Sequence, residues 1–221
     1  MTTQSKTPRP ATLPAEPDPV VPEPPGPLTL RLSPVLQLTG DQFLALCALN
    51  DALRIELNAQ GELEILPPAN ITAGSQNASI TARLFHWAEA DGRGVAFDSS
   101  AGFTLPNGAV RSPDAAWVLR ERLAELPEEQ KVKFAAIAPD FVIELRSSPD
   151  SLNGLQAKLQ EYVENGVRLG WLIDSLDSRR RVYIYRPNAP VAVLEGLDTL
   201  SGEPELPGFT LDLKPVWEPA F

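Results

Sequence analysis

The sequence predicts one α/β domain in which a mixed β-sheet is flanked by helices, with extra hairpins towards both ends. Segments with the period-two alternation of β-strands recur along the chain, and segments with helical spacing lie between them. Their order, a helix, about three strands, a helix and a strand, favours helices packed on a sheet. The length of 221 residues fits one well-buried core.

The first 27 residues differ in composition from the rest of the chain. Nine of them are prolines, and the segment has almost no aromatic residues or apolar periodicity. Such a segment buries too little apolar surface to offset the entropy lost on ordering. We therefore expect residues 1–27 to form a disordered or polyproline-like tail and residues 28–221 to form the domain. A docking motif for a proline-binding partner is the alternative interpretation of the tail.

The domain is predicted to begin with a helix and a hairpin. Thr39 and Gln42 have the spacing of a capping box, which predicts a helix through about Asn50. Two segments then alternate with period two, and the Asn-Ala-Gln-Gly sequence between them favours a turn. We expect these segments, 53–57 and 62–66, to form a hairpin.

The middle of the chain is predicted to contain a long helix followed by short strands. Helical spacing of Ile80, Leu84 and Trp87 indicates a helix over about residues 75–91, with Gly92 placed to end it. Short strands are expected next; their segments are Val95–Asp98, Gly102–Leu105 and Asp114–Leu119. Residues 120–133 are charged and helix-prone, and they are predicted to form the loop that follows.

The last third is predicted to contain the strongest strand and one further helix. The strand is Phe141–Leu145, and Pro149 is expected in the first turn of a helix that ends at Asn165-Gly166. Two more strands are expected at Leu169–Asp174 and Arg181–Tyr185, and the remaining residues stay strand-like.

Charge and cysteine content limit the classes of function. The formal net charge of -10 argues against a high-affinity, sequence-independent coat on DNA, but it permits an acidic site that is neutralised by a bound cation. The densest basic run, Arg179–Arg181, is either a solvated hairpin edge or a contact to the DNA backbone. With one cysteine, neither an intramolecular disulfide nor a Cys-rich zinc site can form.

No apolar run approaches the ~18 residues of a membrane span, and no basic-then-apolar signal opens the chain. A cytoplasmic protein is therefore expected.

Two carboxylates are the main candidates for chemistry. Strand alternation places Val142, Glu144 and Arg146 on one face of the strand, so Glu144 interrupts an otherwise apolar segment. A buried carboxylate needs a cation, a hydrogen-bond network or a metal. If the strand that begins at Asp114 is its neighbour, the two carboxylates converge as a hard divalent ion requires. The alternative is two unrelated strand-end acids, each paired with an arginine.

Lys158 is the third candidate. The packing face of its helix is defined by Leu152, Leu155, Leu159, Tyr162 and Val163. Lys158 lies at the edge of that face, from which its stem can run along the core and bring its ammonium to the sheet. There it would steady a phosphate or an attacking water; a lysine that only reaches for solvent is the alternative.

An ordered series of short motifs runs through residues 53–214. The motifs are Arg54-x-Glu56-Leu57, Gly61-Glu62-Leu63, Pro113-Asp114, Pro139-Asp140-Phe141-Val142-Ile143-Glu144-Leu145, Lys158-x-x-x-Tyr162, Asn165-Gly166-Val167, Trp171-Leu172-Ile173-Asp174 and Leu206-Pro207-Gly208-Phe209. In order and spacing the series resembles the Uma-type restriction endonuclease family, a branch of the PD-(D/E)XK nuclease superfamily. The resemblance implies a restriction-endonuclease-like fold.

The resemblance also implies roles for individual residues. Asp114, Glu144 and the backbone carbonyl of Leu145 would bind Mg²⁺, with Mn²⁺ as a possible substitute. The superfamily's usual lysine two positions after the glutamate is replaced by Arg146, which is expected to clamp a phosphate or to pair with a carboxylate. In this branch the lysine has moved to the helix, which nominates Lys158.

Two auxiliary positions follow from the same resemblance. Asn77 stands where many members carry a histidine, so a mechanism that needs an imidazole there is in doubt. Glu56 is a candidate third acidic group, and a structural pair with Arg54 is the alternative. The resemblance implies Mg²⁺-dependent endonuclease cleavage of DNA, and it is compatible with a homodimer. The alternative is a catalytically inactive nuclease-like domain that acts as a binding or regulatory module.

Overall fold

The computed structural model describes residues 27–220, and regular elements follow one another closely over that range. The first elements are β1 (Leu28–Leu30), α1 (Gly40–Leu49), β2 (Arg54–Leu57), β3 (Leu63–Leu66), α2 (Ile71–Asp91), β4 (Gly94–Asp98), β5 (Phe103–Thr104), β6 (Val110–Arg111) and β7 (Ala115–Leu119). They are followed by α3 (Arg120–Ala124), α4 (Glu128–Lys131), β8 (Phe141–Arg146), α5 (Leu152–Glu164), β9 (Leu169–Asp174), β10 (Arg181–Tyr185), β11 (Ala192–Glu195), β12 (Thr199–Ser201), β13 (Thr210–Asp212) and α6 (Lys214–Trp217). The predicted tail lies outside the described residues except for Pro27.

A six-stranded mixed sheet forms the centre of the domain. Its strands lie in the order β11-β10-β9-β8-β7-β4, and β8 and β9 are its parallel pair. Helix α5 connects these two strands, as the crossover between parallel neighbours requires. The predicted mixed sheet with flanking helices is therefore confirmed.

Two smaller sheets account for the predicted extra hairpins. The first has the order β1-β3-β2-β6-β5 and contains the predicted β2–β3 hairpin, with Glu56 opposite Glu64. The second is the antiparallel pair β12–β13 near the C-terminus. Strand β6 was not predicted, because two residues are too few to show an alternation. Among residues 27–220, no helix is long and apolar enough to cross a membrane.

The helix ends follow from local capping chemistry. Helix α1 begins after the predicted capping box of Thr39 and Gln42. Helix α2 begins at Ile71, four residues before the predicted start, because Asn70 caps it; Gly92 ends it in a left-handed conformation. The predicted start of α5 near Pro149 is wrong, because the Ser151 hydroxyl accepts the Gly154 N–H and caps the helix there.

The two faces of the large sheet pack against different helices. Phe141 and Ile143 face a core that includes Ile80 and Leu84 of α2. Val142 faces a second core that includes Leu159 of α5. Because side chains alternate along β8, Glu144 shares the face of Val142 and lies beneath α5. The fold thereby directs a carboxylate of the sheet towards the helix that carries Lys158.

Helix α5 approaches the sheet closely because residue 170 of β9 is a glycine. A Cβ atom at Gly170 would lie 2.7 Å from Leu159 Cδ1 and 3.6 Å from Val142 Cγ2. Leu159 and Val142 are fully buried, so neither side chain has free space to move into. The glycine therefore sets the distance between α5 and the sheet.

Replacing Gly170 with alanine should push α5 away from β9. We expect Gly170→Ala to lower the free energy of unfolding by about 1–3 kcal/mol, as overpacking a core does. Gly74→Ala is the matched control: a Cβ there meets nothing within 4 Å, and alanine favours the interior of α2. Urea denaturation measures both variants, and equal stability of the two would contradict this account of the packing.

Candidate active site

Glu144 lies in β8 of the large sheet, and Asp114 directly precedes the neighbouring strand β7. Strand β7 pairs antiparallel with β8 as far as Ala115, which lies opposite Ile143. Asp114 Oδ2 accepts the backbone N–H of Leu145 at 2.8 Å, and its Oδ1 accepts from Asn77 Nδ2 at 2.9 Å. Through the first of these contacts, Asp114 lies beside the end of β8 that carries Glu144 and Leu145.

The ammonium of Lys158 bridges two buried carboxylates. Its Nζ lies 2.9 Å from Glu144 Oε1 and 2.9 Å from Glu56 Oε1, and the side chain is 13% exposed. Tyr162, one turn further along α5, donates its hydroxyl to Glu144 Oε1 at 3.0 Å. The lysine thus points towards the sheet rather than to solvent. Glu56 pairs with Lys158 and not with Arg54, the partner weighed from the sequence.

Arg111 is the centre of a second group of charges. Its guanidinium lies 3.1 Å from Glu56 Oε2 and 2.6 Å from Glu161 Oε2, and it also binds Glu64. Only 7% of the arginine side chain is exposed. These partners belong to β2, α5 and β3. The Arg111 guanidinium therefore links the small sheet that contains β2 and β3 to α5, the helix that carries Lys158.

Sequence reasoning missed the second group. Arg111, Glu64 and Glu161 have no distinctive spacing, and Arg111 lies in the two-residue strand that shows no periodicity. Sequence reasoning also missed Tyr162 as a site residue, although the Lys158-x-x-x-Tyr162 motif places both side chains on one face of α5.

Arg146 occupies the position where the resemblance implies a lysine. Its Nη1 lies 3.1 Å from Asp174 Oδ2, and its Nε donates to the Asp150 carbonyl at 3.4 Å. The side chains of Arg146 and Asp174 are 15% and 1% exposed. Of the two roles expected for Arg146, the structure shows the carboxylate partner.

The basic run predicted as a possible DNA contact consists of paired side chains. Arg179 contacts Asp177, Arg180 contacts Glu218, and Arg181 contacts both Asp177 and Glu195. Because each guanidinium already has an acidic partner, the run resembles a neutralised hairpin edge more than a surface that attracts phosphate.

A cavity of about 650 Å³ opens onto the carboxylates. Its lining contains six acidic side chains and three basic ones. The acids are Glu56, Glu64, Asp114, Glu144, Asp150 and Glu161, and the bases are Arg54, Arg111 and Lys158. The excess of carboxylates favours a cation as an occupant of this cavity.

Burial and neighbouring charges shift the pKa values of these groups in opposite directions. Burial, with the charges of Asp114 and Glu56, raises the pKa of Glu144 to about 7 despite the opposing effect of Lys158. Burial likewise raises the pKa of Asp114. Burial also acts to raise the pKa of Glu56, but Lys158 and Arg111 outweigh it and hold that pKa below its usual value.

The donors in the site keep their protons. Burial would lower the pKa of Lys158, yet the carboxylates of Glu144 and Glu56 raise it above its usual value, so the side chain is an ammonium. Burial and the charge of Glu144 raise the pKa of Tyr162 well above its usual value. Both side chains therefore donate hydrogen bonds, and neither can serve as a base near neutral pH.

These residues fit a divalent ion with few protein ligands. Within residues 27–220, no group of three or more histidine, cysteine or acidic side chains is arranged to hold a metal. Asp114 and Glu144 nevertheless supply two carboxylates, one just before β7 and one in the adjacent strand β8. Mg²⁺ is commonly held by one or two carboxylates together with water and substrate phosphate. The donor set therefore suits Mg²⁺ better than an ion that needs an all-protein cage.

A comparison with known protein families identifies the family of the chain. A family model named Uma2 and described as a putative restriction endonuclease matches residues 41–214. The chain belongs to the Uma2 family. The match contains Glu56, Asp114, Glu144 and Lys158, and it confirms the resemblance found in the sequence motifs.

A solved structure shows that the fold occurs elsewhere. The crystal structure of a putative nuclease belonging to DUF820 from Anabaena variabilis ATCC 29413 is similar, with a TM-score of 0.65 and 20% sequence identity. The similarity covers 81% of this chain and 97% of that chain. At this identity the similarity shows that the two proteins share a fold, which in this Uma2 family member is a mixed sheet flanked by helices. No curated protein matches the sequence.

Removing the cation of Arg111 should destabilise the protein strongly. We expect Arg111→Met to lower the free energy of unfolding by about 3–5 kcal/mol, because it leaves buried carboxylates without their partner. Arg93→Met is the control, since Arg93 pairs with Asp91 with 48% of its side chain exposed, and its loss of stability should be far smaller. Urea titration decides, and equal losses for the two variants would contradict the role given to Arg111.

The raised pKa of Glu144 predicts a pH dependence of stability. A carboxyl whose pKa is higher in the folded chain binds more protons there than in the unfolded chain. The free energy of unfolding therefore falls as the pH rises from 4.5, the ordinary pKa of a glutamate, towards about 7, its pKa in the folded chain. In EDTA, we expect the free energy of unfolding of the wild type to fall by about 1–3 kcal/mol between pH 5 and 8. The fall should be smaller in Glu144→Gln. Identical pH profiles for the wild type and Glu144→Gln would refute this assignment.

Proposed function

We propose that this Uma2 family member is a Mg²⁺-dependent endonuclease of the PD-(D/E)XK type that hydrolyses phosphodiester bonds in DNA. The observation that carries the proposal is the convergence of Asp114 and Glu144 in one cavity, with the Lys158 ammonium 2.9 Å from Glu144. Two carboxylates and a lysine are the groups that metal-assisted phosphodiester hydrolysis needs. The family description as a restriction endonuclease points to the same class of reaction.

The metal would be held by Asp114, Glu144 and the carbonyl of Leu145, with Mn²⁺ able to replace Mg²⁺. When bound, such an ion stabilises charge on the phosphate and lowers the pKa of a coordinated water. The excess of acidic groups in the cavity supports this assignment, because it provides the negative field that a divalent cation requires.

Lys158 acts as a fixed positive charge for the phosphate. Its raised pKa keeps it protonated, so it serves as a donor and not as a general base. Glu56 also pairs with the ammonium, which would keep it oriented within the cavity when Glu144 engages a metal. A preorganised charge of this kind stabilises the negative charge that develops on the phosphate oxygens.

Asn77 and Tyr162 orient the two carboxylates. The amide of Asn77 donates to Asp114, and the hydroxyl of Tyr162 donates to Glu144. Neither donor titrates near neutral pH, so they fix the carboxylate oxygens without exchanging protons. Asn77 therefore takes a positioning role at the place where the sequence resemblance implies a histidine.

Arg146 does not replace the missing lysine in this proposal. Asp174 neutralises its guanidinium, and the arginine side chain is only partly accessible to solvent. A charge so engaged has little capacity to bind a phosphate. The catalytic cation is therefore assigned to Lys158 on α5.

The second candidate function is an inactive nuclease-like domain that binds or regulates. The formal net charge of -10 favours it, since few phosphates can be neutralised by such a chain. The contact between Lys158 and Glu144 also favours it, because the ammonium already supplies a cation to one proposed metal ligand. Metal binding and cleavage together distinguish the two functions.

The proposal predicts different effects of removing a carboxylate and removing the lysine. Asp114→Asn and Glu144→Gln should each reduce Mg²⁺-dependent cleavage of plasmid DNA more than about 100-fold and weaken Mn²⁺ binding. Lys158→Met should reduce cleavage by about 100- to 1,000-fold while Mn²⁺ binds at least as tightly, because a competing cation is gone. Calorimetry and gel assays measure the two effects.

Asp198→Asn is the matched control, because Asp198 is an exposed acid that pairs with Lys214 away from the cavity. This variant should cleave DNA and bind Mn²⁺ as the wild type does. A wild-type protein that binds neither Mg²⁺ nor Mn²⁺ and cleaves no DNA would rule out the endonuclease and favour the binding module.

A further inference from the structure

A second cavity continues the catalytic cleft beyond Asp114. It has a volume of about 780 Å³ and shares four lining residues with the cleft, which are Arg54, Ala69, Asn77 and Asp114. A nucleic-acid strand whose phosphate lies at the carboxylates would therefore extend into this second space. We call it the α2 cavity, after the helix that forms its floor.

The floor of the α2 cavity carries small side chains. Gly74, Ala78 and Ala82 follow one another at helical spacing along α2, and all three are exposed. Phe85 comes next on the same side of the helix, with 47% of its surface exposed. Residues 98–101 form part of the opposite wall. The result is an open channel that runs along the helix to an aromatic ring.

Phe85 is an unusual residue to leave in solvent. Among residues 27–220 it is the one aromatic side chain in the group of exposed large hydrophobic residues. His86 lies beside it, with ring centroids 6.4 Å apart at an interplanar angle of 69°. An exposed ring inside a cavity is typical of a surface on which a flat apolar group stacks.

The charges around the α2 cavity exclude a phosphate-binding role. Arg54 is the one lysine or arginine in its lining, and Asp98 and Asp114 are acidic. A DNA duplex presents its phosphates outward and keeps its base faces stacked inside. The cavity lining has few cations to contact those phosphates, and the stacked base faces cannot reach Phe85. An unpaired strand exposes its base faces, and stacking on an aromatic ring contributes about 1–3 kcal/mol per base.

We propose that the α2 cavity binds an unpaired nucleobase next to the scissile phosphate, with Phe85 as its stacking surface. The substrate is therefore single-stranded or locally melted DNA. The inference rests on the proposed endonuclease function, because Asp114 joins the cavity to the catalytic cleft. It assigns Phe85 to substrate binding and leaves the chemistry to the carboxylates and Lys158.

The test measures DNA binding separately from cleavage. Fluorescence anisotropy of a labelled thymidine oligonucleotide and of a blunt duplex of equal length is recorded with the full chain in Ca²⁺ and in EDTA. We expect tighter binding of the single strand. Phe85→Ala should weaken it about 5- to 150-fold, the equivalent of one lost stack, whereas Phe85→Trp should retain it.

Leu176→Ala is the matched control, because Leu176 is 50% exposed and lines neither cavity. This variant should bind the single strand as the wild type does, and Phe85→Ala should leave the weaker duplex binding unchanged. Circular dichroism of each variant reports whether it is folded, and Phe85→Trp tests the ring even if Phe85→Ala unfolds.

The possible results separate this inference from the proposed function. Single-strand binding that depends on Phe85, in a protein that does not cleave DNA, supports nucleobase binding in the α2 cavity and rules out the endonuclease function. Cleavage by the wild type combined with equal affinity of the wild type and folded Phe85→Ala for the single strand overturns the inference alone. Preference for the duplex, or absence of single-strand binding, also overturns it.

Discussion

The contact on which the site depends is the Lys158 ammonium held between Glu144 and Glu56. Ionised carboxylates are costly to bury without a partner, and this cation is the partner of both. The contact requires α5 to lie close to the sheet, which the glycine at position 170 permits. It also requires Glu56 to stay ionised, and the neighbouring guanidinium of Arg111 ensures that. Packing and charge are therefore coupled in one place.

The ion pairs form a chain that links separate parts of the fold. From Glu64 it runs through Arg111, Glu56 and Lys158 to Glu144, so it crosses from the small sheet to the large one by way of α5. Along this chain each buried acid touches a cation, yet the cavity as a whole retains an excess of negative charge. This arrangement reconciles a stable interior with a site that still attracts a divalent ion.

The sequence revealed those parts of the site that depend on local pattern. Alternation along one strand was enough to place Glu144 beneath a helix, and helical spacing was enough to direct Lys158 towards it. The role of Arg111 could not be predicted, because its strand has two residues and its acidic partners come from three distant segments. The start of α5 was misplaced for a local reason, a serine cap competing with a proline two residues earlier.

Anomalous diffraction from crystals grown with Mn²⁺ locates the metal directly. We expect a peak within coordination distance, about 2.0–2.6 Å, of both Asp114 and Glu144, with the Lys158 ammonium still bound to Glu56. A peak that lies instead among Glu56, Glu64 and Glu161, or no peak in the cavity at saturating Mn²⁺, would contradict the assignment of Asp114 and Glu144 as the metal ligands.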